Sequence, residues 1–136
     1  MTFEYKTFQS SGYDLKIVLK KSPCLALLAN ANVDSCISVV AYEDDMPIGV
    51  LIARELMQGD LYIAHINVSP CYHRRKGIGS ELLKIIENIA TEKSLKRLSL
   101  LVRNQNLGAK AFFEKEGFVE YLKCDTGQEM IKYINL

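Results

Sequence analysis

The sequence predicts a single α/β domain, and three observations point to it. Runs of β-branched and aromatic residues recur between polar turns. One of these runs, Leu61 to Val68, is nearly all apolar, as in a central strand covered on both faces. It is followed by an amphipathic run at helical spacing and then by an alternating run at Leu98 to Val102, which makes a strand, helix, strand unit with a right-handed parallel crossover. At 136 residues, 49% of them hydrophobic and 24% charged, the chain is long enough for one compact domain and too short for two ordinary ones. Residues 1–136 are therefore read as one domain.

Phe3, Tyr5 and Thr7 alternate with Glu4 and Lys6, which suits a half-buried first strand over Thr2 to Phe8, broken by Ser10, Ser11 and Gly12. Leu15, Val18 and Leu19 fall at helical spacing, and Ser22 with Pro23 forms an N-cap and first helical position, so two short helices are expected before Asn30 to Asp34. Cys36 to Tyr42 and Met46 to Glu55 flank Glu43, Asp44 and Asp45 and read as a hairpin. Gln58, Gly59 and Asp60 turn the chain into the Leu61 to Val68 strand. Only His65 and Asn67 interrupt that strand, and period-two alternation puts both on one face.

Ile78, Leu82, Ile85, Ile86 and Ile89 make the apolar stripe of a helix ending near Lys93. Asn106 is an N-cap for a second helix carrying Ala109, Phe112 and Phe113 and stopped by Gly117. Phe118 to Leu122 and Met130 to Ile134 read as two closing strands around Asp125, Thr126 and Gly127.

Seventeen basic residues against 16 acidic ones leave a formal charge of +1, which provides no global field for nucleic acid or membrane, so any anion site must be local. Cys24, Cys36, Cys71 and Cys124 show no C-x-x-C spacing and no companion histidine pair; no metal is expected, and they read as small buried apolar residues in a reducing compartment. Met1 to Lys6 lacks the apolar core of a signal peptide and no run reaches membrane-span length, so the expected location is cytoplasmic.

The chemistry-bearing stretch is His73 to Ser80, at the junction between the apolar strand and the first amphipathic helix. Arg74, Gly77 and Gly79 form R-x-x-G-x-G there. A helix start leaves backbone N–H groups unpaired, its dipole attracts anions, and glycines let the backbone approach a phosphate closely. Arg74, Arg75 and Lys76 add positive charge at the same mouth. The stretch is neither a dinucleotide-binding G-x-G-x-x-G loop nor a P-loop, because Lys76 precedes Gly77 and no lysine follows Gly79.

This stretch resembles the pyrophosphate-binding loop of the GCN5-related N-acetyltransferases, whose pattern is Gln or Arg, two residues, Gly, one residue, then Gly or Ala. The match extends to Val68 and Pro70 upstream and to Leu82 and Leu83 downstream, although Pro70 lies one residue further from Gly77 than in the commonest form. A second run, Asn106, Ala109, Phe113, Glu114, Lys115, Gly117 and Phe118, is similar to the second signature of that family, in the family's order. The resemblance covers about Met46 to Phe118. It implies a mixed, mostly antiparallel sheet of about six to seven strands with helices on both faces, splayed at the central strand. It also implies acetyl-coenzyme A as cosubstrate and an amine as acceptor. The implied coenzyme contacts are Ile66, Asn67 and Val68, which pair with the pantetheine arm, then Arg74, Arg75, Lys76, Gly77, Ile78, Gly79 and Ser80, and then Asn106, Ala109, Phe112 and Phe113.

Acetyl transfer to an amine needs the amine neutral, the thioester carbonyl polarised and the departing thiolate stabilised, with no nucleophilic side chain. His65 lies where relatives carry a base, and an imidazole titrates near neutrality; a core histidine bonded to backbone would look the same in the sequence. Glu55 on the preceding strand is the alternative base. Phe113 stands where the family usually places a tyrosine that protonates the departing sulfur, and Tyr72, Tyr121 or a water are the candidate substitutes. The enzyme therefore competes with a non-catalytic coenzyme A sensor of the same fold. Nucleic-acid binding through His73 to Lys76 is disfavoured by the near-neutral charge, no membrane partner is expected, and a homodimer stays open.

Overall fold

The computed structural model of the chain describes residues 3–9, 36–70 and 77–134. The two helices expected between Tyr13 and Asp34, and the loop from Cys71 to Lys76, lie outside the described residues. The strands are β1 (Glu4–Gln9), β2 (Ile37–Glu43), β3 (Met46–Glu55), β4 (Asp60–Val68), β5 (Arg97–Arg103), β6 (Val119–Lys123) and β7 (Gly127–Tyr133); the helices are α1 (Ile78–Glu92) and α2 (Leu107–Lys115). The strands form one seven-stranded sheet in the order β1-β2-β3-β4-β5-β7-β6. Only β4 and β5 run parallel, joined by the crossover through α1, and every other neighbouring pair is antiparallel. This is the mixed, mostly antiparallel α/β sheet that the sequence predicts.

The β2–β3 hairpin closes on Asp44 and Asp45, both at positive φ (49° and 67°), the backbone that a two-residue hairpin turn needs if its twist is to match the strands. Cys36 precedes β2 and is buried. β7 starts at Gly127, three residues before the expected Met130, and slots between β5 and β6. Its polar start is held by backbone pairing with β5, Gly127 opposite Arg103 and Gln128 opposite Val102.

The apolar stripe of α1 buries Ile78, Leu82, Leu83, Ile86 and Ala90 against Val39, Leu51, Leu61 and Leu98. Phe113 of α2 joins the same core beside Leu100, Val102, Met130 and Phe118. Both described helices therefore cover one face of the sheet. Burial of this many large side chains is the main stabilising term, at ~1.5–3 kcal/mol each.

The face assignment within β4 departs from simple alternation. Ile52 pairs with His65 and Ala53 with Ile63, so Ala64 is an extra residue in a β-bulge. Before the bulge Leu61 and Ile63 face α1, and after it Ile66 and Val68 do so. His65 and Asn67 do share a face, as expected, and the register puts it on the side away from α1.

No helix among the described residues is long and apolar enough to cross a membrane.

Candidate active site

The β4–β5 ladder is three residues long: Asp60 opposite Arg97, Leu61 opposite Leu98 and Tyr62 opposite Ser99. β4 continues to Val68 and β5 to Arg103, so the strands part after Tyr62 and a V-shaped groove opens. The splay thus falls at β4, the central strand, as the sequence reading expects. The closed end is fastened by Arg97 Nε donating to Asp60 Oδ1 at 2.7 Å, with the Asp60 side chain 5% exposed. That bond is the first cause of the raised pKa of the Arg97 guanidinium.

β4 presents an open backbone edge in this groove. The amide of Ser69 donates to the Ile48 carbonyl at 2.7 Å, and Val68 lies opposite Gly49, so residues 69 and 48 form a hydrogen-bonded pair. In an antiparallel ladder such pairs alternate with non-bonded ones. The amides and carbonyls of Asn67 and His65 therefore turn toward β3, while those of Ile66 and Val68 turn toward the side that β5 has left. Of the three expected coenzyme positions on β4, Ile66 and Val68 turn their backbone groups into the groove and Asn67 turns its toward β3.

The N-terminus of α1 lies at the open end of β4. Gly77 is its N-cap, with φ 69° and ψ 13°, a left-handed backbone that favours glycine, and no side chain caps the helix. The first intrahelical bond is Glu81 N–H to the Gly77 carbonyl at 3.0 Å. The N–H groups of Ile78, Gly79 and Ser80 lie ahead of it, in the part of a helix that has no intrahelical acceptors and attracts anions. Gly79 has a different job from Gly77: a Cβ there would sit 3.1 Å from Phe112 Cζ, so its missing side chain lets the α2 ring close onto α1. Arg74, Arg75 and Lys76 lie outside the described residues.

Asn106 caps α2, its side chain accepting from the Ala109 N–H at 3.1 Å, which gives both residues a structural role. Phe112 is half-buried over Gly79. Phe113 is 6% exposed, edge-on to Phe112 at 5.2 Å and to Phe118 at 5.5 Å. A cavity of about 330 Å3 lies between α1 and the corner where α2 leads into β6, lined in part by Gly77, Ser80, Lys84, Glu116, Phe118 and Lys132. Ser80 Oγ donates to Glu116 Oε1 across it, and Lys132 Nζ meets Glu87 Oε2 at 3.1 Å. Glu116 and the Asp60–Arg97 pair escaped the sequence reading, because neither contact has a local signature.

The two candidate bases are not brought together. His65 is half-buried on β4 within the splayed segment. Glu55 lies opposite Leu61, near the closed end, and is ion-paired with Lys93 at 3.3 Å beyond the C-terminus of α1. The β3 partner of His65 is Ile52, three strand residues or about 10 Å from Glu55. Tyr121 is also outside the groove's open end, its ring 4.9 Å from the Arg97 guanidinium. Cys124, expected to be buried, sits exposed in the turn between β6 and β7, and its thiol pKa is lowered by the Thr126 hydroxyl and then by backbone hydrogen bonds. Among the described residues, no three His, Cys, Asp or Glu side chains gather as metal ligands.

Comparison with known proteins agrees with this geometry. The profile described as "Acetyltransferase (GNAT) family" matches residues 4–118. The uncharacterized protein YxbD of Bacillus subtilis (strain 168) is 40% identical over 43 residues, which span 32% of this chain and 27% of that protein. Among solved structures, the PaiA N-acetyltransferase of Thermoplasma acidophilum in complex with coenzyme A aligns over 98% of this chain and 99% of its own, with 19% identity and a TM-score of 0.77. The ribosomal-protein-S18-alanine N-acetyltransferase of Escherichia coli aligns over 99% of this chain and 96% of its own, with 17% identity and a TM-score of 0.72. At these identities the structural likeness concerns the fold, and the profile match over most of the chain decides the family. The chain belongs to the GNAT acetyltransferase family.

Proposed function

We propose that this chain is a cytoplasmic N-acetyltransferase that moves an acetyl group from acetyl-coenzyme A directly to a primary amine of a small molecule or protein. The observation that carries this reading is the open β4 edge at Ile66 and Val68 beside the uncapped N-terminus of α1. A pantetheine arm carries amides, and an extended amide chain can add to an open strand edge through main-chain hydrogen bonds. Its pyrophosphate would then meet the N–H groups of Ile78, Gly79 and Ser80, with Arg74, Arg75 and Lys76 adding charge. Asn106, Ala109, Phe112 and Phe113 shape the α2 side. A relative solved with coenzyme A on the same fold supports the choice of ligand.

In the chemical step, His65 takes the proton of the acceptor ammonium. The freed nitrogen lone pair attacks the thioester carbonyl, the nitrogen of the tetrahedral adduct gives its second proton to water, the C–S bond breaks, and coenzyme A leaves as the thiolate. The Val68 N–H, on the open edge, is placed to polarise the carbonyl. Glu55 is a poorer base in this account, since Lys93 holds it near the closed end. The ring at Phe113 has no proton to give the leaving sulfur. An ordinary thiol near pKa ~8.5 leaves unprotonated at neutral pH for only about 2 kcal/mol.

Phe113 also favours a second reading, a coenzyme A sensor without turnover. Release of free thiol from acetyl-coenzyme A across an amine panel separates the two: an enzyme releases thiol in proportion to acceptor, whereas a sensor binds coenzyme A and releases none.

A further inference from the structure

Ser80 and Glu116 meet across the cavity between α1 and the α2–β6 corner. Ser80 stands in the first turn of α1, and Glu116 is the residue that caps the C-terminus of α2. The serine hydroxyl donates to the glutamate carboxylate, and both line the cavity beside Gly77. We propose that Glu116 is an internal competitor for the phosphates of the coenzyme: its carboxylate occupies the Ser80 hydroxyl beside the α1 N-terminus until the ligand displaces it.

The physical basis is that a helix N-terminus attracts whichever anion is near. Gly77 offers no capping side chain, so α1 has no anion of its own at the N-cap. Glu116 reaches this region from another element. Among the described residues the other charges lining the cavity do not cancel it: Lys132 is engaged with Glu87 at 3.1 Å, and Glu81 is a further carboxylate in the first turn of α1, which leaves Lys84 as the remaining cation. A pyrophosphate arriving at Ile78, Gly79 and Ser80 must therefore take the hydroxyl from Glu116 and then tolerate the displaced carboxylate nearby. Coenzyme affinity is set below what the helix and the basic loop would otherwise give. Glu116 is a residue that tunes ligand affinity and does not take part in the chemistry.

This rests on the coenzyme A assignment above, and calorimetric titration of coenzyme A tests the two separately. Glu116→Gln removes the charge and keeps the shape, while Glu116→Ala removes both charge and tether. Both variants are expected to bind coenzyme A about 3- to 10-fold more tightly than the unaltered chain at low salt. The gain of Glu116→Gln should shrink at 1 M salt, where the screening length falls to ~3 Å. Unchanged or weaker binding in both variants, with circular dichroism showing them folded, overturns the proposal and makes Glu116 a structural tether. Should one variant fail to fold, the other decides by the same criterion. Absence of coenzyme A binding in all three proteins overturns the coenzyme assignment and this proposal with it.

Discussion

Asp60 and Arg97 join the two halves of the sheet where they still touch: Nε donates to Oδ1 at 2.7 Å across the first pair of the three-residue parallel ladder. Beyond this clamp the strands diverge. Removing one member of a buried ion pair costs ~3–5 kcal/mol, and because the Arg97 side chain keeps 17% exposure the lower end, about 3 kcal/mol, applies here. Asp60→Asn is expected to lower the urea midpoint accordingly, and Asp60→Leu with Arg97→Met to recover most of the loss. Equal stability of Asp60→Asn and the unaltered chain would contradict the clamp.

Gly77 and Gly79 should respond differently, although they look alike in the loop pattern. Gly77→Asp puts a side chain on a left-handed backbone, at ~1–2 kcal/mol, and a negative charge at the proposed pyrophosphate position. Its coenzyme A affinity should fall at least ~10-fold. Gly79→Ala brings a methyl to 3.1 Å from the Phe112 ring, which must give by a few tenths of an ångström, so the contact should cancel part of the ~1 kcal/mol that alanine gains over glycine within a helix. Adding Phe112→Leu to Gly79→Ala should restore part of that gain, as thermal denaturation of the double variant would reveal.

Much of this architecture is legible in the sequence because its signals are local. The α1 stripe, the Asn106 cap and the paired turn aspartates each announce themselves within a few residues. The bulge at Ala64 does not. Both faces of β4 are apolar, so a shift of one residue leaves no trace in the hydrophobic pattern, and only the pairing of Ile52 with His65 and Ala53 with Ile63 reveals it. The packing role of Gly79 is hidden for a related reason: its neighbour Phe112 is 33 positions away in sequence, and a glycine that admits a ring looks the same as one that admits a phosphate. The ion pair of Glu55 with Lys93 is likewise invisible, because the partners lie on different elements 38 positions apart. The start of β7 is hidden because Gly127, Gln128 and Glu129 carry turn-like side chains while their backbones pair with β5.

His65→Gln should lower turnover by roughly 10² to 10⁴ and flatten the acid limb of the rate profile if the imidazole takes the ammonium proton. Glu55→Gln should leave the profile unchanged. A profile that moves with Glu55 and not with His65 would reassign the base.

Burial raises the Tyr42 phenol above its ordinary value near 10, and burial together with Glu81 does the same for Tyr5. The folded state thus holds these protons more tightly than the unfolded chain. The associated stability is fully present below pH 10 and is lost as pH rises through the folded values. Urea midpoints measured on either side of pH 10 should fall on the alkaline side, and Tyr42→Phe should flatten that decline.

Phe113→Tyr places a hydroxyl where the buried ring now meets Phe112 and Phe118. Coenzyme A affinity should stay nearly unchanged, and turnover should rise by up to ~10-fold if the hydroxyl reaches the departing sulfur. A slower variant would show that another donor already serves.

Direct transfer from acetyl-coenzyme A to an amine is tested most plainly by following an isotope-labelled acetyl group by mass spectrometry with a panel of primary amines. The label should appear on the nitrogen of an acceptor in step with thiol release, with none held covalently on the protein at any time. Coenzyme A binding without label on any amine, or label trapped on a protein side chain, would contradict direct transfer.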